Sequence, residues 1–553
     1  MSDRHFSVWP EGVPHHLELP DQTIFQNLLN SATQAPDHPA ILYHGAQMSY
    51  GQLLAQVESL AGFLQHHAGV QKGDRVLLYM QNAPQFVIAY YAILRADAVV
   101  VPVNPMSRHA ELIHYTEDSG ARIMIAGQEL LSQVSPLLDE DHLQCVIAAT
   151  YSEQANPDYD IPLPQALAQL RASQIKGAGI VRWADAVASQ CPPDPHTAQP
   201  DDLAVIPYSS GTTGHPKGCM HSHRTVQVTC VGGVAWNPMT RQDISLSVLP
   251  LFHVTGMQAA MNGPIFSGGT LVIMTRWDRS TAARLIERHR VTRWRSISTM
   301  AIDLVNAPDL TRYDLSSLQA IGGGGAAMPK AIATRLKTLT GLDYIEGYGM
   351  SETMAATHIN PTHAPRRQCL GVPVFDVDCR VLSVSDGTQL GPHEVGEIVT
   401  SGPQVFLGYW RNPGATNEAL FEMEGKTFIR TGDLGYYDET GYFYMVDRVK
   451  RMINASGFKI WPAEVENMMH KHPSIAEVCI IATPDQRRGE SVKAVIVPKP
   501  GQAPTPQEII DWCHAEMAAY KCPRVIEFTP ELPKSGSGKV LWRELQSREN
   551  ANV

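Results

Sequence analysis

The stretch YSSGTTGHPKG, residues 208–218, gathers hydroxyls, glycines and one lysine, as a loop that holds phosphate would. It is not the common nucleotide loop, in which the lysine opens a helix and the next hydroxyl reaches a magnesium ion. Pro216 removes a backbone donor and disfavours helix at His215, so Lys217 is expected in a turn. The hydroxyls of Ser209, Ser210, Thr212 and Thr213, with the amides of Gly211 and Gly214, could still wrap polyphosphate oxygens. Taken alone, such a cluster reads as a polar surface turn. Other segments carry chemistry of their own: LPLFHVTG (249–256), a run of four glycines from Gly322 to Gly325, EGYGMSE (346–352), TGDLG (431–435) and KSGSGKV (534–540). Four successive glycines are poor helix and poor strand, and are expected where something must approach the backbone closely.

The elements that position these segments follow a βαβ rhythm. GDRVLLYM (73–80) reads as a strand, APQFVIAYYAILRA (83–96) as a buried helix and AVVVPV (98–103) as a second strand. Parallel sheet covered by helices follows. The loop at 208 succeeds the strand-like LAVIPYS, as a ligand loop at the carboxyl end of a sheet should. The rhythm resumes with 244–252, 270–274 and the helical 280–290. From about 367 to 410 short alternating segments imply a small antiparallel sheet or barrel, and after Asp447 a last α+β unit follows. The fold class is therefore α/β: a large N-terminal domain, 1–447, of αβ-layered parallel sheets with a small barrel-like part, then a small mobile α+β domain, 448–553.

Composition narrows the function. The chain has 553 residues, 44% hydrophobic and 18% charged, an ordinary globular make-up with ample core. A net charge of −11, from 44 basic and 55 acidic residues, gives no general attraction to nucleic acid or anionic lipid. Nine cysteines without a CxxC pair read as reduced thiols, neither a disulfide framework nor a zinc site. The polar, proline-broken start is no signal peptide, and the apolar run Phe86–Leu94 is too short to span a bilayer. A soluble cytoplasmic protein is expected; its oligomeric state is open, a homodimer included.

Five motifs occur in a fixed order: 208–218, 249–256, 346–352, 430–466 and 533–545. In order and spacing they resemble the adenylate-forming enzymes, which include acyl-CoA synthetases, 4-coumarate–CoA ligases, luciferases and peptide-synthetase adenylation domains. The resemblance covers nearly the whole chain. It implies two half-reactions: a carboxylate attacks the α-phosphate of ATP to give acyl-adenylate and pyrophosphate, and a thiol, here that of CoA, then displaces AMP.

The resemblance also implies roles. Ser209 to Gly214 with Lys217 would hold the phosphates, Thr212, Thr213 and Lys217 foremost. Glu352 would be the Mg²⁺ carboxylate, and Tyr348 would lie on the adenine beside Gly323, Gly324 and Gly325, within the segment Glu346, Gly347, Gly349, Met350 and Ser351. Asp433 and Arg448 would take the ribose. Lys539 would bridge carboxylate and nucleotide during adenylation, so the C-terminal unit must fold back over the large one. Lys450, in DRVKRM, would be the hinge that then swings Ser456, Gly457, Phe458 and Lys459 to the CoA channel. Plant coumarate ligases carry lysine and glutamine where this chain has Asn454 and Lys459, which leaves the contacts of the second step open.

His253 would border the acyl pocket, with Val231, Gly232, Gly233, Trp236, Met257, Gly322, Met354 and Ala355 around it. This lining is apolar and shows no acid for an amino-acid substrate. The segment 449–466 looks more like bacterial fatty-acid ligases than aryl-acid ligases. The expected activity is a medium- or long-chain fatty acyl–CoA ligase using ATP, Mg²⁺ and CoA. An aryl-acid ligase, a ligase that loads a carrier protein and a nucleotide sensor without turnover stand as alternatives.

Overall fold

The computed structural model describes residues 3–209, 216–325, 327–448, 451–455, 458–485, 489–534 and 540–551. The chain divides into two compact units. One comprises 1–378, 401–429 and 440–442; the other comprises 379–400, 430–439 and 443–553.

In the large unit, strands Arg75–Tyr79, Val99–Val103, Ile123–Gly127, Cys145–Ala149 and Ile180–Arg182 form a parallel sheet, extended by Leu203–Val205 and closed by an antiparallel pairing with His221–Ser222. The helix Pro84–Arg95 opens on a proline at its first turn, where no donor is missed, and every one of its residues is buried. Apolar side chains all round such a helix leave it only the interior.

A second sheet has nine strands, in the order Val372–Pro373, Ala355–Ile359, Tyr344–Met350, Ala320–Gly324, Arg293–Ser296, Ile244–Ser247, Thr270–Ile273, Pro39–Tyr43 and Ala46–Ser49. Its centre is parallel, and the register sets Arg295 opposite Gly322 and Gly322 opposite Ile345. One row on, Ser296, Gly323 and Glu346 are aligned.

The glycine run corrects a sequence expectation. Ala320–Gly324 is a strand, hydrogen-bonded on both sides by Arg293–Ser296 and Tyr344–Met350. Two flanking ladders outweigh the low intrinsic propensity of glycine. Something does approach the backbone closely, and it is the protein itself. A Cβ on Gly323 would stand 1.8 Å from the Ser296 carbonyl oxygen and 2.5 Å from the Tyr344 hydroxyl.

In the small unit, the part of the strand Lys426–Tyr437 from Asp433 onward pairs antiparallel with Phe443–Arg448. Beyond them Ile453–Ala455, Phe458–Ile460, Ile475–Asp485, Gly489–Pro498 and Val525–Phe528 form a mixed sheet carrying the helices Pro462–Met469, Pro506–Glu516 and Trp542–Ala551. No helix among the described residues is long and apolar enough to cross a membrane.

Candidate functional site

The two ends of the opening loop are zipped together. Ser209 pairs with Lys217 and Tyr208 with Gly218 in a short antiparallel ladder, so Lys217 sits in extended strand and not in the expected turn. The tyrosine hydroxyl donates to Asp118 Oδ2 at 2.5 Å, and this anchors the incoming strand. Past Gly218 the chain runs antiparallel to 407–410: the Trp410 amide donates to the Gly218 carbonyl, and the Met220 amide to that of Gly408. This pairing delivers Tyr409 to the loop. The Lys217 ammonium lies over the Tyr409 ring, 4.2 Å from its centre.

The same tyrosine reaches the other motif. Its hydroxyl donates to Glu352 Oε1 at 2.8 Å, across 57 residues of sequence. Glu352 is buried, in the single turn Ser351–Thr353. A carboxylate that has left water needs such a donor. Burial, and then the adjoining carboxylate, push the Tyr409 hydroxyl far above its ordinary range, so it remains a donor. Lys217, Tyr409 and Glu352 thus form one cluster, with Cys219 fully buried beside it. Tyr409, in the segment GYW, has no signal in residue spacing and was not anticipated.

The turn that carries Glu352 is held tightly. His221 Nε2 lies 2.7 Å from the Ser351 carbonyl oxygen, and burial lowers the ring to about 4, so it stays neutral and donates. The next two residues, Met354 and Ala355, both have left-handed backbone, at φ 47° and 87°. Such geometry is costly away from glycine and is kept where the surroundings impose it. Gly349 lets the turn fold back, since a Cβ there would meet the Ala355 carbonyl oxygen at 1.7 Å.

Elsewhere in EGYGMSE, Glu346 is buried and accepts backbone amides of Gln368, at 2.9 Å, and Met328, at 3.3 Å. Burial raises it to about 7. Gly347 pairs with Gly324 in the ladder, Tyr348 is half-buried, edge-on to His358, and the Met350 side chain packs near Phe406 and Tyr409. Gly325 takes positive φ, 87°.

The residues expected at the acyl pocket are placed variously. His253 is exposed and caps the helix Val254–Met257, its Nδ1 accepting the Thr255 amide at 3.3 Å. Met257 and Met354 are fully buried. Trp236 is buried edge-on to Trp9 and Phe375, its indole N–H donating to the Asn360 carbonyl. Val231 and Gly232 are buried on the same helix, His223–Trp236, whereas among the described residues nothing beyond that helix lies within 4 Å of where a Cβ on Gly233 would sit.

In the small unit Asp433 and Arg448 face each other in register, Nε to Oδ1 at 2.9 Å, with the acid buried and the arginine exposed. Asp447, one residue earlier, accepts the Ala463 amide at 2.7 Å. Asn454 pairs with Lys459 and Ala455 with Phe458 in a hairpin. Ser210, Gly211, Thr212, Thr213, Gly214, Lys450, Ser456, Gly457 and Lys539 lie outside the described residues.

Among the described residues no group of three or more histidines, cysteines or acids gathers to cage a metal. Glu352 alone suits Mg²⁺, a hard ion that takes one or two protein carboxylates and completes its shell with phosphate oxygens and water. The donor set therefore fits a metal that enters with a nucleotide.

Comparison with known proteins gives the family. The AMP-binding enzyme family matches residues 28–410, and its C-terminal domain matches 464–539. The chain belongs to the AMP-binding enzymes. It is 34% identical to the long-chain-fatty-acid–CoA ligase of Bacillus subtilis over 98% of both chains. With the feruloyl-CoA synthase of Amycolatopsis it shares 33% identity, over 94% of this chain and 97% of that one. ATP-bound MatB from Rhodopseudomonas palustris superposes with a TM-score of 0.84 at 26% identity, over 97% of this chain and all of the other. The α/β class and the resemblance to adenylate-forming enzymes both stand.

Proposed function

We propose that this enzyme activates a medium- or long-chain carboxylic acid with ATP and passes the acyl group to CoA. It is an AMP-forming acid–CoA ligase, and ATP, Mg²⁺ and CoA are what it works with. The observation that carries the reading is the cluster of Lys217, Tyr409 and Glu352 at the closed ends of the hydroxyl-rich loop. A fixed cation and a fixed carboxylate stand together there, as binding of a metal–polyphosphate requires.

In the first half-reaction a carboxylate oxygen attacks the α-phosphorus and pyrophosphate leaves. Two anions must meet, so the site has to favour the charge of the transition state over that of the ground state. Lys217, with Thr212 and Thr213, holds the β- and γ-phosphates, while Glu352 would hold Mg²⁺, which offsets phosphate charge. Tyr409 keeps Glu352 oriented by donating to it. Tyr348 lies on the adenine, and Asp433 accepts from the ribose hydroxyls with Arg448 beside it. Lys539 bridges the acid and the nucleotide. A swing of residues 448–553 about Lys450 then withdraws Lys539 and brings Ser456 to Lys459 to the pantetheine, whose thiolate attacks the acyl carbonyl and expels AMP.

The fatty-acid reading draws on the ligase from Bacillus and on the apolar residues around His253. The test is mass spectrometry of products from Mg-ATP, CoA and a panel of straight-chain, branched and aromatic acids. Acyl-CoA and AMP from straight-chain acids support the reading. Product from aromatic acids alone would replace it with the activity of the feruloyl-CoA synthase relative, and adenylate without thioester would replace CoA with a carrier protein.

A further inference from the structure

The inner face of the nine-stranded sheet holds a cation that the roles above do not use. Arg295 follows Trp294 on the strand Arg293–Ser296, so the two side chains point to opposite faces. Trp294 joins the outer cluster with Leu246, Ile286 and Ile321. Arg295 points the other way, to the side on which Leu271 and Ile273 pack in the central core. Its Nη1 folds over Gly322, 2.8 Å from where a Cβ would stand, a place that the Ile345 carbonyl oxygen, at 2.5 Å, also closes to a side chain.

A guanidinium presents five donors and is almost never taken into a protein without an acceptor. Its neighbour Arg293 conforms, with Nε 2.8 Å from Asp243 Oδ1. Among the described residues no hydrogen bond or ion pair reaches Arg295. Burial and the charge of Arg293 lower it, to about 10, which leaves it protonated at neutral pH. The residue is half-buried and keeps some accessible surface.

Position identifies the ligand. Gly322 lies two residues before Gly324, where the strand ends, a depth of about 7 Å at roughly 3.3 Å per residue. The carboxyl edge of the sheet is where nucleotide and reacting carboxylate belong. An anion meeting Arg295 therefore sits further along the acid than the carboxylate being activated. We propose that Arg295 selects the substrate by pairing with a second, distal carboxylate, which makes the acid a dicarboxylic acid whose chain runs between the reaction centre and this arginine. This rests on the ligase reading and specifies its acid.

The test compares kcat/KM for matched pairs, hexanoate against adipate and octanoate against suberate, in wild type, Arg295→Met and Arg295→Lys, by pyrophosphate release. Wild type is expected to favour the diacid of a pair. Arg295→Met should reverse that order, with a change in the ratio of at least about 100-fold, because a site that loses its ionic partner discriminates strongly. Arg295→Lys should restore part of it. Retained or improved turnover of the monoacids by Arg295→Met would show that the variant folds. Equal preference in wild type, with the ratio unmoved in both variants, overturns the proposal, as does a rise in the KM for ATP alone. Absence of acid-dependent pyrophosphate release from wild type with every acid, those of the broader panel included, would instead remove the ligase reading beneath it.

Discussion

Gly323→Ala separates two explanations of the glycine run. If the glycines exist to admit a nucleotide, alanine should damage ATP binding and leave folding intact. The structure gives the opposite expectation. The added Cβ would stand 1.8 Å from the Ser296 carbonyl oxygen and 2.5 Å from the Tyr344 hydroxyl, whereas real contacts essentially never fall below 3.0 Å. Relief would require the strands to part by more than 1 Å, and Arg293–Ser296 is held on its far side by Ile244–Ser247. Ser296 is fully buried, so no mobile group can yield. Overpacking of about 3 kcal/mol, with a ladder hydrogen bond or two at about 1 kcal/mol each, amounts to roughly 4–5 kcal/mol. That is a large share of the 5–15 kcal/mol on the order of which domains are stable. The assay is the denaturant midpoint of the variant together with hydrogen exchange of the peptides covering 293–296 and 320–324. An unchanged midpoint and unchanged protection, with ATP affinity lost, would refute the packing argument and return the glycines to the ligand.

Tyr409→Phe should lower adenylate formation about 10- to 100-fold, the value of a hydrogen bond to a charged group at roughly 1.5–3 kcal/mol, and raise the Mg²⁺ concentration for half-maximal rate; an unaltered Mg²⁺ dependence would detach Tyr409 from Glu352. Lys539→Ala should reduce adenylation by about 100-fold as for a lost transition-state donor, while pre-formed acyl-adenylate still passes to CoA, and equal loss of both steps would contradict the assigned role. Stability should also depend on pH through His221. The folded ring, lowered to about 4, stays neutral where the unfolded one at 6.5 takes a proton, so stability is present above pH 6.5 and lost as pH falls toward 4. At roughly 1.4 kcal/mol per pKa unit the loss is about 3 kcal/mol, and denaturation midpoints across that range should fall less steeply in His221→Gln; parallel slopes would rule the ring out.

Motif order, alternating strand and helix patterns and buried apolar runs are properties of neighbouring residues, and from these the α/β class, the family and Lys217, Glu352 and Asp433 as residues of interest were legible in the sequence alone. The tertiary structure decided what strand order and register decide. The glycines of Ala320–Gly324 become a strand only because Arg293–Ser296 and Tyr344–Met350, distant in sequence, flank them with hydrogen-bond partners. Tyr409 joins Lys217 to Glu352 because 407–410 happens to lie along the strand leaving the loop. The lining expected around His253 showed no cation, yet Arg295 faces inward over Gly322. Spacing along a chain records which residues alternate; only the packed sheet determines which face they meet and whether a charge there finds a partner.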